Sequence, residues 1–102
     1  MAKFNLRRVV LDVVKPTGAS ALPSIAEAVG NVTGVSSVNI TVEEVDSKTE
    51  GLLVTVEGSG IDFTELNEAI SRSGAVVHSV DQVVSGDKII DSVPVPLSRV
   101  KR

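Results

Sequence analysis

Leu6 to Val14 alternates between Val9, Leu11 and Val13 on one side and Leu6, Arg8, Val10, Asp12 and Val14 on the other. That period of two is what a strand with one face in a core requires. Lys15-Pro16-Thr17-Gly18 breaks it. From Ser20, an expected N-cap, Leu22, Ile25, Ala26, Val29 and Val32 follow helical spacing, with Pro23 in the first turn, where a missing N–H does little harm. The helix is expected to end before Gly34. Val35 to Val45 alternates again, with Val38, Ile40 and Val42 inward and Asn39, Thr41, Glu43 and Val45 outward.

The stretch Asp46 to Gly51 reads as a polar hairpin connection, after which Leu52, Val54 and Val56 alternate with Leu53, Thr55 and Glu57 up to Gly58-Ser59-Gly60. Asp62 and Glu65 stand at capping-box spacing, and Phe63, Leu66, Ala69 and Ile70 form the apolar stripe of a second helix ending at Gly74. In the fourth strand, Val76 to Val84, two sets compete for the inward face: Val76, His78, Val80, Gln82 and Val84 against Val77, Ser79, Asp81 and Val83. A bulge would reconcile them.

The order strand, helix, strand, strand, helix, strand with right-handed crossovers predicts an α+β, ferredoxin-like βαββαβ sandwich, a four-stranded antiparallel sheet with two helices on one face. Residues 1–87 make that domain. Residues 88–102 carry Ile89, Ile90, Val93, Val95, Leu97 and Val100 around Pro94 and Pro96. The prolines forbid a central strand but permit an extended arm, expected to pack on its own or a neighbouring subunit. The bare sheet face would hold Arg8, Val10, Asp12, Val14, Thr41, Glu43, Val45, Leu53, Thr55 and Glu57, too apolar to stand in water across a whole sheet. A homo-oligomer is therefore expected.

Composition removes several functions. Twenty valines against two phenylalanines, Phe4 and Phe63, build the core from β-branched side chains. There is no cysteine, so disulfides, thiolate nucleophiles and zinc-thiolate sites are excluded, in keeping with a cytoplasmic expectation. A net charge of -3 offers no general attraction for phosphate backbones, and no mid-strand aromatic provides a base-stacking platform, so no nucleic-acid partner is expected. No apolar run approaches the roughly 20 residues of a membrane span, and no membrane partner is expected.

Three runs, Gly34-Val35-Ser36-Ser37-Val38-Asn39-Ile40, Gly51 to Gly58 and Gly74-Ala75-Val76-Val77-His78-Ser79-Val80-Asp81, resemble a small archaeal family of uncharacterised proteins, domain of unknown function 211. The resemblance covers nearly the whole chain. It implies a ferredoxin-like fold and a ring-like or multi-subunit assembly. The family has no assigned activity, so the resemblance transfers no functional residue.

Candidate chemistry is sparse. His78, the one histidine, is expected opposite Asp12, and with Asp81 these residues form a candidate metal set. One His and one Asp complete neither a zinc site nor a nucleophilic triad; Asp12, Glu43, Glu44, Asp46, Glu57 and Asp81 supply oxygen ligands for a calcium or magnesium reading, which needs several of them to converge. Partly buried hydrogen bonding for His78, and solvated ion pairs for the carboxylates, are the simpler readings. Thr17, Gly18 and Ser20 lie before a helix N-terminus and resemble the glycine-bearing loop of amino-acid-sensing ACT domains, which makes them a candidate ligand-binding loop; a plain turn is the simpler reading. Copper-chaperone activity is excluded because that loop lacks paired cysteines. The expectation is a non-enzymatic, homo-oligomeric structural or small-ligand-sensing module that requires no cofactor. The alternatives are a divalent-cation-binding assembly or an enzyme using the Asp12 and His78 pair.

Overall fold

The computed structural model describes residues 3–95. Its elements run β1 (Leu6–Pro16), α1 (Leu22–Gly30), β2 (Val35–Val45), β3 (Thr49–Gly58), α2 (Phe63–Arg72) and β4 (Val76–Ser85). The sheet order is β2-β3-β1-β4, and β1 with β3, β1 with β4 and β2 with β3 all pair antiparallel. This is the ferredoxin-like α+β arrangement.

Both helices lie over the face made by Val9, Leu11 and Val13 of β1 and Leu52, Val54 and Val56 of β3. Those six side chains are buried with Ile25 and Val29 of α1 and Leu66, Ala69 and Ile70 of α2. The period-two pattern of the central strands and the 3.6-period stripes of the helices thus meet in one apolar layer. Val38 and Ile40 extend it to β2 and Val77 to β4. Lys15 also lies on this face, only 5 % exposed, its ammonium 3.5 Å from the Glu50 carboxylate and donating to the Pro16 carbonyl at 3.3 Å.

Several local expectations are corrected. Leu6, placed on the outer face by strict alternation, is buried with the helices, because a register shift between Leu6 and Arg8 inserts an extra β1 residue opposite β4. Ser20 is not the cap of α1. Ala21 occupies that position with no side-chain hydrogen bond, and Pro23 falls in the first turn. The hairpin connection is shorter than Asp46 to Gly51, since β3 already starts at Thr49. Asp46 supplies the reason: its carboxylate accepts from the backbone N–H groups of Lys48 and Thr49, both at 2.8 Å, while its own N–H donates to the Thr49 carbonyl at 3.0 Å. The side chain thereby replaces turn residues. The two backbone donors hold the Asp46 carboxyl below the ordinary carboxylate range.

The competing sets on β4 are reconciled by two bulges. Val10 pairs with Gln82 but Leu11 with Val80, and Asp12 pairs with Ser79 but Val13 with Val77, so Asp81 and His78 are the extra residues. Helix-side positions on β4 consequently recur every three residues, at Val77, Val80 and Val83, opposite Val13, Leu11 and Val9.

Asp62 caps α2, accepting from the Glu65 N–H at 3.0 Å. The return half of the capping box is redirected: Glu65 reaches the Thr33 hydroxyl at 2.8 Å and the Thr33 N–H at 3.2 Å, while the Asp62 N–H donates to the Thr33 carbonyl at 3.1 Å. The turn before β2 is thus tied to the head of α2. The two connections meet so closely that a Cβ on Gly34 would overlap backbone atoms of Ser59 and Gly60.

After β4 the chain turns at Gly86, whose N–H donates to the Asn5 carbonyl at 2.9 Å. Residues 87–95 have no regular structure. Arg7 donates to the Asp87 carbonyl at 3.1 Å, and Arg8 pairs with Asp91 at 2.7 Å. The arm is therefore anchored as far as Asp91, and the part of it from Pro96 onward lies outside the described residues.

Candidate functional site

Opposite the helices, the sheet presents its other face. Directly paired residues of antiparallel strands share a side, so Arg8 stands with Glu57, Val10 with Thr55, Asp12 with Leu53, and Val14 with Gly51. From β2, Ser37, Asn39, Thr41 and Glu44 continue these rows. A register shift between Val42 and Glu44 makes Glu44, rather than the expected Glu43, the neighbour of Gly51. Val10, Val14, Leu53 and Thr55 are half-buried without any helix above them.

Arg8 organises one end of this face. Its guanidinium donates to Gln82 at 3.3 Å and meets Glu57 at 2.8 Å and Asp91 at 2.7 Å; the two carboxylates raise its pKa, Asp91 contributing most. One cation thus joins β3, β1, β4 and the arm. Val84, paired with Arg8, is buried although it stands outside the main core.

At the other end lies an open cleft of about 470 Å³, with Asp12, Val14, Glu44, Asp46, Gly51 and His78 among its lining. Gly51 makes the hollow, since it stands between Val14 and Glu44 with no side chain of its own. A Cβ there would meet Glu44 in ordinary contact, its nearest atom the Glu44 Cβ at 3.5 Å. The bulge at His78 places the imidazole, exposed, on this cleft near the pair formed by Asp12 and Ser79. Three carboxylates and one imidazole around a solvent-open hollow suit a cationic or hydrogen-bond-donating guest more than an anion.

The sequence-derived candidates fare unequally. Asp12 and His78 do line the same cleft, though no hydrogen bond joins them among the described residues. Asp81 accepts from the Ser79 hydroxyl at 2.7 Å instead and is not part of the lining. Among the described residues no group of three or more His, Cys, Asp or Glu is assembled to hold a metal ion, so Asp12, His78 and Asp81 are not such a set within one chain.

Thr17, Gly18 and Ser20 lie outside the cleft. The Thr17 N–H is engaged by the Lys48 carbonyl at 2.8 Å and the Ala19 N–H by the Pro16 carbonyl at 3.1 Å, which takes two backbone donors from any incoming anion. Glu44 and Asp46 line the cleft as two of the oxygen ligands expected from the sequence, while Gly51 and its joining with them were missed. Their common signal is the hairpin itself, which folds the acidic end of β2 back over a glycine.

No helix among the described residues is long and apolar enough to cross a membrane. Compared with known proteins, residues 7–99 match the family of uncharacterised ArCR proteins, domain of unknown function 211. The chain is also similar to the uncharacterised protein MJ0319 of Methanocaldococcus jannaschii, with 42% identity over 95 residues covering 93% of this chain and 97% of that protein. The chain belongs to the domain of unknown function 211 family.

Proposed function

We propose that this protein is a non-enzymatic, cytoplasmic subunit of a homo-oligomer, ring-like or otherwise multi-subunit, acting as a structural or small-ligand-sensing module. The observation supporting it is the helix-free sheet face. Val10, Val14 and Leu53 are held side by side there with only part of the face crossed by the chain's own arm, and a second copy supplies the missing cover.

The sheet-face cleft is the place for the ligand. Its acidic lining of Asp12, Glu44 and Asp46 favours a small amine-bearing molecule, with His78 as a further polar contact. The same lining favours a second reading, a calcium or magnesium assembly, in which several subunits each contribute carboxylates because the described residues of one chain do not bring three such side chains close enough to hold an ion.

Light scattering coupled to native mass spectrometry on the purified full-length chain tests both. A multiple of the 10.6 kDa chain mass is expected. A mass excess matching an organic amine or a divalent ion separates the two ligand readings, and a single-chain mass at micromolar concentration would overturn the assembly.

A further inference from the structure

The two edges of the sheet are not equivalent. On β4 the bulges at His78 and Asp81 interrupt the strand twice, and Asp81 adds a charge. Both devices discourage pairing with another strand. On β2 the pairing with β3 is regular from Ser37 to Val42, and the sequence there, Ser-Val-Asn-Ile-Thr-Val, has no charge, no proline and no lysine. The outer edge of β2 has no strand beside it among the described residues. Such an edge is a template for an additional strand.

The arm has the features of that strand. In extended chain, successive residues direct their N–H and C=O groups to opposite edges. Paired as a strand, the segment would lack N–H groups at Pro94 and Pro96 along one edge only, while Val93, Val95 and Leu97, alternating with them, would offer theirs along the other. The segment can join a sheet along one side and ends the sheet where it joins. On its own chain it is unused as far as it is described: Val93 is 79% and Val95 60% exposed.

Charge sets the direction. β2 runs from the neutral stretch into exposed Glu43 and Glu44, then Asp46, and the arm runs from its own neutral stretch into Arg99, Lys101 and Arg102. Ser37 to Glu43 and Val93 to Arg99 are the same length of extended chain, about 20 Å. Laid parallel with Val93 beside Ser37, the arm brings Arg99 beside Glu43 and Arg102 beside Asp46. An antiparallel arm would set the basic end against the neutral end of β2.

We propose that the arm of one copy, from Val93 to Arg102, adds as a parallel fifth strand to the β2 edge of a second copy, with its basic end seated on Glu43, Glu44 and Asp46. This rests on the self-association proposed above and names the contact that makes it. An arm that returned to its own β2 would satisfy the same edge, so the test separates the two.

The chain has no cysteine, so an introduced pair reports cleanly. Chains carrying Asn39→Cys and chains carrying Val95→Cys, mixed and mildly oxidised, are expected to give a disulfide-linked heterodimer, because neighbouring strands hold paired residues at a bondable distance. Linkage only within a single chain carrying both substitutions, or none at all, overturns the proposal.

A second measurement uses the full-length chain by light scattering. Val95→Pro removes an N–H from the pairing edge and is expected to weaken association about tenfold, whereas Ser92→Pro, on the edge already lacking donors, leaves it unchanged. If the unaltered chain assembles and Val95→Pro assembles equally well, the arm contact is wrong and self-association stands. If the unaltered chain is monomeric, both fall.

Discussion

Gly34 and Gly18 share nearly the same positive φ, +89° and +87°, in entirely different surroundings. Nothing lies within 4 Å of a Cβ built on Gly18, whereas one built on Gly34 would overlap the Gly60 carbonyl and the Ser59 oxygen, all backbone atoms. Gly18→Ala therefore isolates the conformational cost of a left-handed residue, about 1–2 kcal/mol. Gly34→Ala bears that cost and must also push the loop before α2 away. The displacement strains the Ser59 N–H bond to the Gly34 carbonyl (2.9 Å) and the Asp62 N–H bond to the Thr33 carbonyl (3.1 Å), each contributing about 1 kcal/mol.

The expected losses are about 1–2 kcal/mol for Gly18→Ala and about 3–4 kcal/mol for Gly34→Ala. With a urea slope of about 2 kcal/mol per molar, the midpoints fall by about 0.5–1 M and about 1.5–2 M. Urea unfolding at one fixed protein concentration measures both, since association shifts apparent stability. Equal midpoints for the two variants would refute the claim that the turn before β2 and the loop before α2 are locked by contact.

Two further outcomes follow from the caps and the hairpin. Asp62→Ala should cost about 1 kcal/mol by removing the acceptor for the Glu65 N–H, while Ser20→Ala, which caps nothing here, should change stability by less than about 0.5 kcal/mol; thermal unfolding of the pair checks this. Because the folded-state pKa of Asp46 lies below the ordinary value of 3.8, the stability it confers is present above about pH 4 and is lost as pH falls through the folded pKa. Asp46→Asn keeps a side-chain acceptor but no titration, so its stability should decline less steeply than the unaltered chain's in urea midpoints taken from about pH 5 down to about pH 2.

The central strands and α2 were legible because their signals are local and periodic. Val9, Leu11 and Val13, Leu52, Val54 and Val56, and the stripe of Leu66, Ala69 and Ile70 each face the core as alternation or helical spacing requires. The limits of β2, Val35 to Val45, were legible too.

Strict alternation failed at the bulges, and for one reason. A bulge is decided by which strand lies opposite, so nothing in the local pattern announces that Leu6 turns inward or that Val77, Val80 and Val83 share a side. The cleft depends on the same long-range facts. His78 and Asp12 could be placed near one another from strand order, but Glu44 reached the hollow through a register shift and Gly51 through the absence of a side chain. The cap of α1 was misplaced because Ser20 is the better capping residue by type, whereas the helix begins one residue later.

Lys15 gives β1 a peg. Sliding β1 by two residues along β3 would leave every side chain on its proper face, so alternation by itself does not forbid it. The slide would, however, draw the Lys15 ammonium from its place beside Glu50 of β3 into the slot now filled by Val13, beneath the helices. Stranding a charge there costs several kcal/mol, and a single long side chain at the end of an otherwise repetitive valine strand thereby tells the sheet where to stop.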